Sequence, residues 1–200
     1  MTPPRLSVPP GRAGRIWLVR RLETARRGAD LLDRKLRILQ SELAALQAAA
    51  AQTAEQWDKS EARARTCLLH AALVSGERAI QLAADGQAAE IGVSYAMAMG
   101  VRYPVTATCA IPPVSTWDGP VLARARQAHR IALEAAARHA ASTAAVRAVE
   151  HEVRTTRYRL RAVQDRWIPR LEQALADTIF MIEELERADA ARLRLAVRRG

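Results

Sequence analysis

Leucine and small residues recur at alternating intervals of three and four from Leu18 to Trp57, and no proline interrupts them. The positions are Leu18, Leu22, Ala25, Ala29, Leu32, Leu36, Leu39, Leu43, Leu46, Ala50, Thr53 and Trp57. An α-helix turns once in about 3.6 residues, so this alternation holds the apolar side chains in one stripe along one side. A stripe of that length needs another helix to cover it. The far end of the chain supplies one. Val149, Val153, Thr156, Leu160, Val163 and Trp167 continue, after a slip of one residue, as Ile168, Leu171, Leu175, Thr178, Ile182 and Leu185. The two stripes predict an all-α-dominated fold: a long antiparallel two-helix coiled coil, thin and elongated.

Composition agrees with a thin structure. Half of the 200 residues are hydrophobic but only 4 % are aromatic, and much of the remainder is alanine. Alanine favours helix and lets helix axes approach to about 8 Å, yet it cannot fill a broad core.

Punctuation divides the chain into four segments of one structural domain. Residues 1–11 carry Pro3, Pro4, Pro9, Pro10 and Gly11 and read as a disordered arm. A first coiled-coil helix is expected over 12–74, a rod of about 90 Å at the α-helical rise. Gly28 lies inside it, either tolerated or marking a close backbone approach, at about 1 kcal/mol relative to alanine. Ser75-Gly76 opens a central insert over 75–117. The insert reads as a short helix from Glu77 to Ala84, ended by Asp85-Gly86, and then a β-hairpin with arms 90–99 and 101–111 about Gly100. Pro104 in the second arm implies an edge or bent strand. A lone hairpin is marginal in water, so this one should lie on the helices or on another protein. The last helix is expected over 118–200, with Asp118 as N-cap and Pro120 in its first turn. A bend or a change of supercoil is expected at Pro169, where the stripe slips.

The residues give no footing for catalysis and no cofactor or metal site. Phosphate-cradling glycine loops, nucleophile elbows and zinc-type clusters are all missing from the sequence. His70, His129, His139 and His151 are scattered and read as surface or seam residues. Glu183, Glu184 and Glu186 stand beside Arg187 and Arg192, the pattern of a solvated, salt-bridged helix face. Cys67 and Cys109 have neither disulfide-framework nor metal spacing, which suits a reduced cytosolic compartment, and nothing near Cys109 marks a lowered thiol pKa. Residues 1–14 lack the apolar core of a signal peptide, and no apolar run approaches the roughly 20 residues that span a bilayer.

Charge is the more informative signal. The formal net charge is +10, and every basic residue except Lys35 and Lys59 is arginine. Such an excess suits nucleic acid, an anionic membrane surface or an acidic cavity in another protein. The basic residues form two clusters, Arg12, Arg15, Arg20, Arg21, Arg26 and Arg27 near one end, and Arg187, Arg192, Arg194, Arg198 and Arg199 near the other. In an antiparallel hairpin both would gather at one tip. There they could be a solvated face, a phosphate-binding surface or a plug for a complementary protein cavity. Trp17, Trp57 and Trp167 read as seam fillers, and Trp117 as a staple before the last helix. Residue chemistry by itself leaves three classes standing: a helix pair that plugs a cavity in another protein, a nucleic-acid-binding coiled coil, and a chaperone-like scaffold whose insert grips clients.

The stretch RIWLVRRLETARRGADLLDRKLRIL, Arg15 to Leu39, resembles the opening helix of the D subunit of V-type and A-type rotary ATPases. The matching positions are Leu18, Arg21, Leu22, Ala25, Arg27, Gly28, Leu31, Leu32 and Lys35. Met99-Gly100-Val101 with Pro104 is similar to the central hairpin of that family. Ile168-Pro169-Arg170-Leu171-Glu172, Glu183 to Arg187 and Arg192-Leu193-Arg194 are similar to its closing helix. The set runs in order across nearly the whole chain, although arginine replaces lysine at several positions and residues 120–148 are unusually rich in alanine.

The resemblance implies a non-catalytic central-stalk rotor subunit without a cofactor. The terminal helices, with the two arginine clusters, would enter the hexamer of alternating catalytic and non-catalytic nucleotide-binding subunits. The shaft would also bind the small F subunit and the funnel-shaped subunit that caps the proteolipid ring. It would make no direct contact with nucleic acid, and it would reach the cytoplasmic membrane only through partners.

Overall fold

The computed structural model describes residues 7–83, 88–112 and 119–199, with residue 199 in its backbone only. The elements are α1 (Gly11–Ser75), α2 (Glu77–Ala83), β1 (Glu90–Ala98), β2 (Val101–Ala110), α3 (Pro120–Arg161), a π-helical turn (Ala162–Trp167) and α4 (Ile168–Arg199). They fall into two compact units, one holding residues 1–36 and 154–200 and the other residues 37–153.

In the first unit the opening turns of α1 pair with the end of α3, the π turn and α4. Arg12 reaches Glu186 at 2.7 Å and Arg26 reaches Glu172 at 2.8 Å, so one helix rises where the other falls. The pairing is antiparallel, as the stripes require. Its core is Leu18, Leu22 and Leu171, with Trp17, Ala25, Trp167, Ile168, Ala174 and Leu175 packed around them. The seam residue Thr178 keeps its hydroxyl satisfied within its own helix, donating to the Ala174 carbonyl at 2.7 Å. Val8 packs on the same core, and a Cβ on Gly14 would strike the Pro9 carbonyl oxygen. This departs from the disordered arm expected over 1–11, of which residues 1–6 lie outside the described residues.

The expected change at Pro169 takes the form of the π turn. The stripe needs both Trp167 and Ile168 on the side facing α1, one residue more than α-helical phase allows. A π turn holds one extra residue. The Ile168 amide accordingly donates to the carbonyl of Val163, five residues back. Pro169, with no amide hydrogen, follows where the bonding pattern is already changed.

Of the stripe positions Leu185 departs furthest, at 62 % exposed, while Trp57 at the end of the first stripe is 36 % exposed. The last cross-helix pair is Arg12 with Glu186, at the very start of α1. Past that point α4 continues to Arg199, and every described side chain from Glu183 onward is exposed. Among the described residues nothing lies there to cover it.

The second unit pairs α1 with α3 through alanine. Ala64 meets Ala128 and Ala132, and Cys67 packs beside them. At Trp57 the seam widens. Its indole stacks on His139 with ring centroids 5.4 Å apart, and Thr53 Oγ1 lies 3.2 Å from His139 Nδ1. Gly76 ends α1 in the left-handed region, with φ of 77° and its amide on the Ala72 carbonyl, an αL cap. The expected end of α2 at Ala84 to Gly86, and Asp118 and Trp117 before α3, lie outside the described residues. Pro120 opens α3 as expected.

Strands β1 and β2 form an antiparallel hairpin closed by Met99 and Gly100, both at positive φ, as a two-residue type I′ turn requires. Between Ser94 and Tyr95 the register shifts: Ser94 faces Thr106 but Tyr95 faces Pro104, so Val105 is the bulged residue. Proline thus stands beside the irregularity that spares it a ladder bond. The hairpin does lie on the helices. Ala107 packs with Ala137 and Ala141 of α3, and the buried Tyr103 donates to Glu42 Oε1 at 2.6 Å.

Gly28 and Tyr103 each yield a measurable expectation. A Cβ on Gly28 would meet nothing within 4 Å, so the glycine is tolerated and not a close approach. Gly28→Ala should raise the urea midpoint by an amount worth about 1 kcal/mol. At Tyr103 the Glu42 hydrogen bond, then burial, raise the phenol's pKa. A raised folded value means that the docked, protonated phenol contributes its full stability below the ordinary value near 10 and loses it as pH climbs through the raised one. Tyr103→Phe should cost about 1–2 kcal/mol and remove that alkaline loss, read from hydrogen exchange of the β1 and β2 amides between about pH 8 and 11.

Candidate partner interface

Both arginine clusters lie in the first unit, on α1 and α4, and the structure sorts them by partner. Arg12 and Arg26 are held by carboxylates of α4. Arg187 is held by Glu183 and Glu184, and Arg192 by Asp189 at 3.1 Å. All of these pairs are exposed, so each is worth at most about 1 kcal/mol, and they leave little net field. Arg15, Arg20, Arg21 and Arg27 on α1, and Arg194 and Arg198 on α4, meet no carboxylate among the described residues. The Arg199 side chain lies outside them. The first cluster is also not a tip: Arg12 to Arg27 extend over about four turns of helix.

The overhanging end of α4 adds what charge by itself does not reveal. Leu193, Leu195 and Val197 are exposed there, Val197 at 82 %, interleaved with Arg194 and Arg198. Apolar side chains this bare, on a helix end that no element among the described residues covers, mark a contact surface. The apolar residues can be read in the sequence, but that they go uncovered follows from where α1 begins, which the stripe does not state.

The hairpin residues Met99, Gly100, Val101 and Pro104 lie in the second unit. Met99 and Gly100 form the exposed turn, while Val101 and Pro104 are half-buried. Ile91, Val93, Tyr95, Met97 and Val105 are exposed apolar residues of the same hairpin, and Arg102 lies 4.1 Å above the Tyr95 ring. Of the scattered histidines, His139 is a seam residue and His129 bonds the Ala125 carbonyl at 2.8 Å. Among the described residues no helix is long and apolar enough to cross a membrane.

Comparison with known proteins places this geometry in context. Residues 16–198 match the sequence profile of the family described as the ATP synthase D subunit. The chain is also similar to the V-type ATP synthase D subunit of Thermotoga neapolitana, at 29 % identity over 195 residues, covering 94 % of this chain and 96 % of that one.

Proposed function

The chain belongs to the family of ATP synthase D subunits and is thus part of a V- or A-type ATPase, and from that premise we propose that it is the central rotor shaft. In this reading it carries torque between the nucleotide-binding hexamer and the ion-translocating ring of the membrane, and contributes no catalytic group itself. The terminal helix pair enters the hexamer of catalytic and non-catalytic subunits. Other parts of the chain bind the small F subunit and the funnel-shaped subunit on the proteolipid ring. The protein then sits on the cytoplasmic side of the membrane, attached through those partners.

The observation that carries the proposal is the bare end of α4, where Leu193, Leu195 and Val197 alternate with Arg194 and Arg198, which meet no carboxylate among the described residues. Exposed apolar side chains set among guanidinium groups suit a sleeve of protein. Two unlike helices also lack threefold symmetry. Three equivalent catalytic sites around them would each meet a different face at any moment, and each orientation would favour a different site conformation through differential contact. Long guanidinium arms on a hydrated surface let the contacts slide.

The test is a reversible lock. With Cys67 and Cys109 replaced, Val197→Cys is cross-linked to a cysteine on the inner wall of the hexamer. ATP turnover should stop on oxidation and return on reduction. Full turnover in the cross-linked complex would exclude rotation of this chain within the ring.

A further inference from the structure

The two edges of the hairpin differ. β2 carries Pro104, which has no N–H to offer, beside the bulged Val105. Both features keep an edge from pairing further. β1 has neither, and from Ile91 to Ala98 it holds no charged residue and no proline. Its one ladder partner is β2, and among the described residues it makes no main-chain hydrogen bond outside the hairpin. Alternate N–H and C=O groups of β1 therefore point away from β2 without a main-chain partner. Ile91, Val93, Tyr95 and Met97 share one face of the strand, and all four are exposed, Met97 at 71 %. The other face holds only Gly92, Ser94, Ala96 and Ala98. An edge this long, apolar and unguarded is a template for another strand.

We propose that the occupant is β1 of a second copy of this chain, the two hairpins joining antiparallel about a twofold axis into one four-stranded sheet. The order of side chains along β1 selects it. With Ser94 facing Ser94 across the axis, Ile91 of each copy stands opposite Met97 of the other, and Val93 opposite Tyr95. Every large exposed side chain of the strand then meets another, as a self-complementary interface requires. A slip of one residue would set each of them against a small one. The charges agree with the same arrangement. Glu90 stands at the base of the hairpin and Arg102, opposite Met97, near its turn. Antiparallel pairing brings Glu90 of each copy to the end where Arg102 of the other stands. In the rotor reading one copy occupies the axis, so the paired form is that of the chain outside the complex, and the proposal does not rest on that reading.

Sedimentation of the full chain over a range of concentrations should show a monomer–dimer equilibrium, and hydrogen exchange should slow at every second amide of β1 as the dimer fills. Ser94→Lys puts like charges directly across the axis and should raise the dimer dissociation constant about tenfold. Helix content by circular dichroism should stay unchanged, because the Ser94 side chain is exposed. With Cys67 and Cys109 replaced, Ser94→Cys should join two copies on oxidation, whereas Ile91→Cys, which faces Met97, should not. A chain that stays monomeric, a Ser94→Lys chain that dimerises undiminished, or a Ser94→Cys chain that does not cross-link overturns the proposal. So does protection of the β1 amides that arises only when a different protein is bound, since the edge then belongs to that partner.

Discussion

Leu171→Ala and Leu18→Ala should each lower the unfolding free energy by about 2–5 kcal/mol, whereas in the other unit the damaging change should be an enlargement, Ala145→Leu. Leu18 and Leu171 are both fully buried and meet in one cluster, so removing either empties space that no second layer of structure stands ready to fill. Ala145 is fully buried too, but its unit is built from alanine contacts such as Ala64 with Ala128 and Ala132. Helices that close cannot admit an isobutyl group without moving apart, and overpacking of this kind costs about 1–3 kcal/mol. Truncation there is mild by comparison, since Ala132→Gly loses little beyond helix propensity, about 1 kcal/mol. Urea unfolding at unchanged slope reads all four variants. A leucine unit indifferent to truncation, or an alanine unit indifferent to enlargement, would mean that the seams do not hold the fold as described.

That contrast also shows what is legible in the residues alone. The three–four spacing from Leu18 onward names the buried face of α1 almost residue by residue, because helical phase is a local property and the stripe is unbroken. The hairpin is legible for a similar reason, with short β-rich arms around a glycine. The slip between Trp167 and Ile168 is visible as well, but its resolution as a π turn is not. Phase errors can be absorbed by a bend, a supercoil change or an extra residue in one turn, and local sequence does not choose among them. Leu185 escapes the pattern because a stripe says which face is apolar and not how far the partner helix extends. The arginine clusters are found by counting, yet their division into paired and unpaired members is not, since Glu186 lies 174 residues from Arg12 and Glu172 lies 146 from Arg26. Likewise Tyr103 and Glu42 meet across 61 residues. Contacts at such separations follow from the antiparallel register, which composition alone does not set.

Reversing Arg194 and Arg198 together to glutamate should uncouple the assembled complex, with ATP hydrolysis continuing and ion pumping per ATP reduced. The two guanidinium groups stand on the uncovered end of α4 and meet no carboxylate among the described residues, so their reversal does not disturb an internal pair. Folding should be untouched, because both side chains are exposed. What changes is the field that the helix end presents to its sleeve. Charge reversal at an interface rim chiefly slows association, by about tenfold or more at low salt, and the deficit should shrink above about 0.1 M salt, where screening acts within roughly 10 Å. The paired control is Arg12→Ala with Glu186→Ala, which removes one exposed bridge and keeps net charge constant; it should cost at most about 1 kcal/mol and leave coupling intact. The comparison separates two meanings of a basic helix end. If both variants pump like the unaltered complex, the unpaired arginines are solvated ornaments and the apolar residues between them carry the contact. If only the reversal fails, and salt repairs its association but not its pumping, the charges act during rotation and not only during assembly.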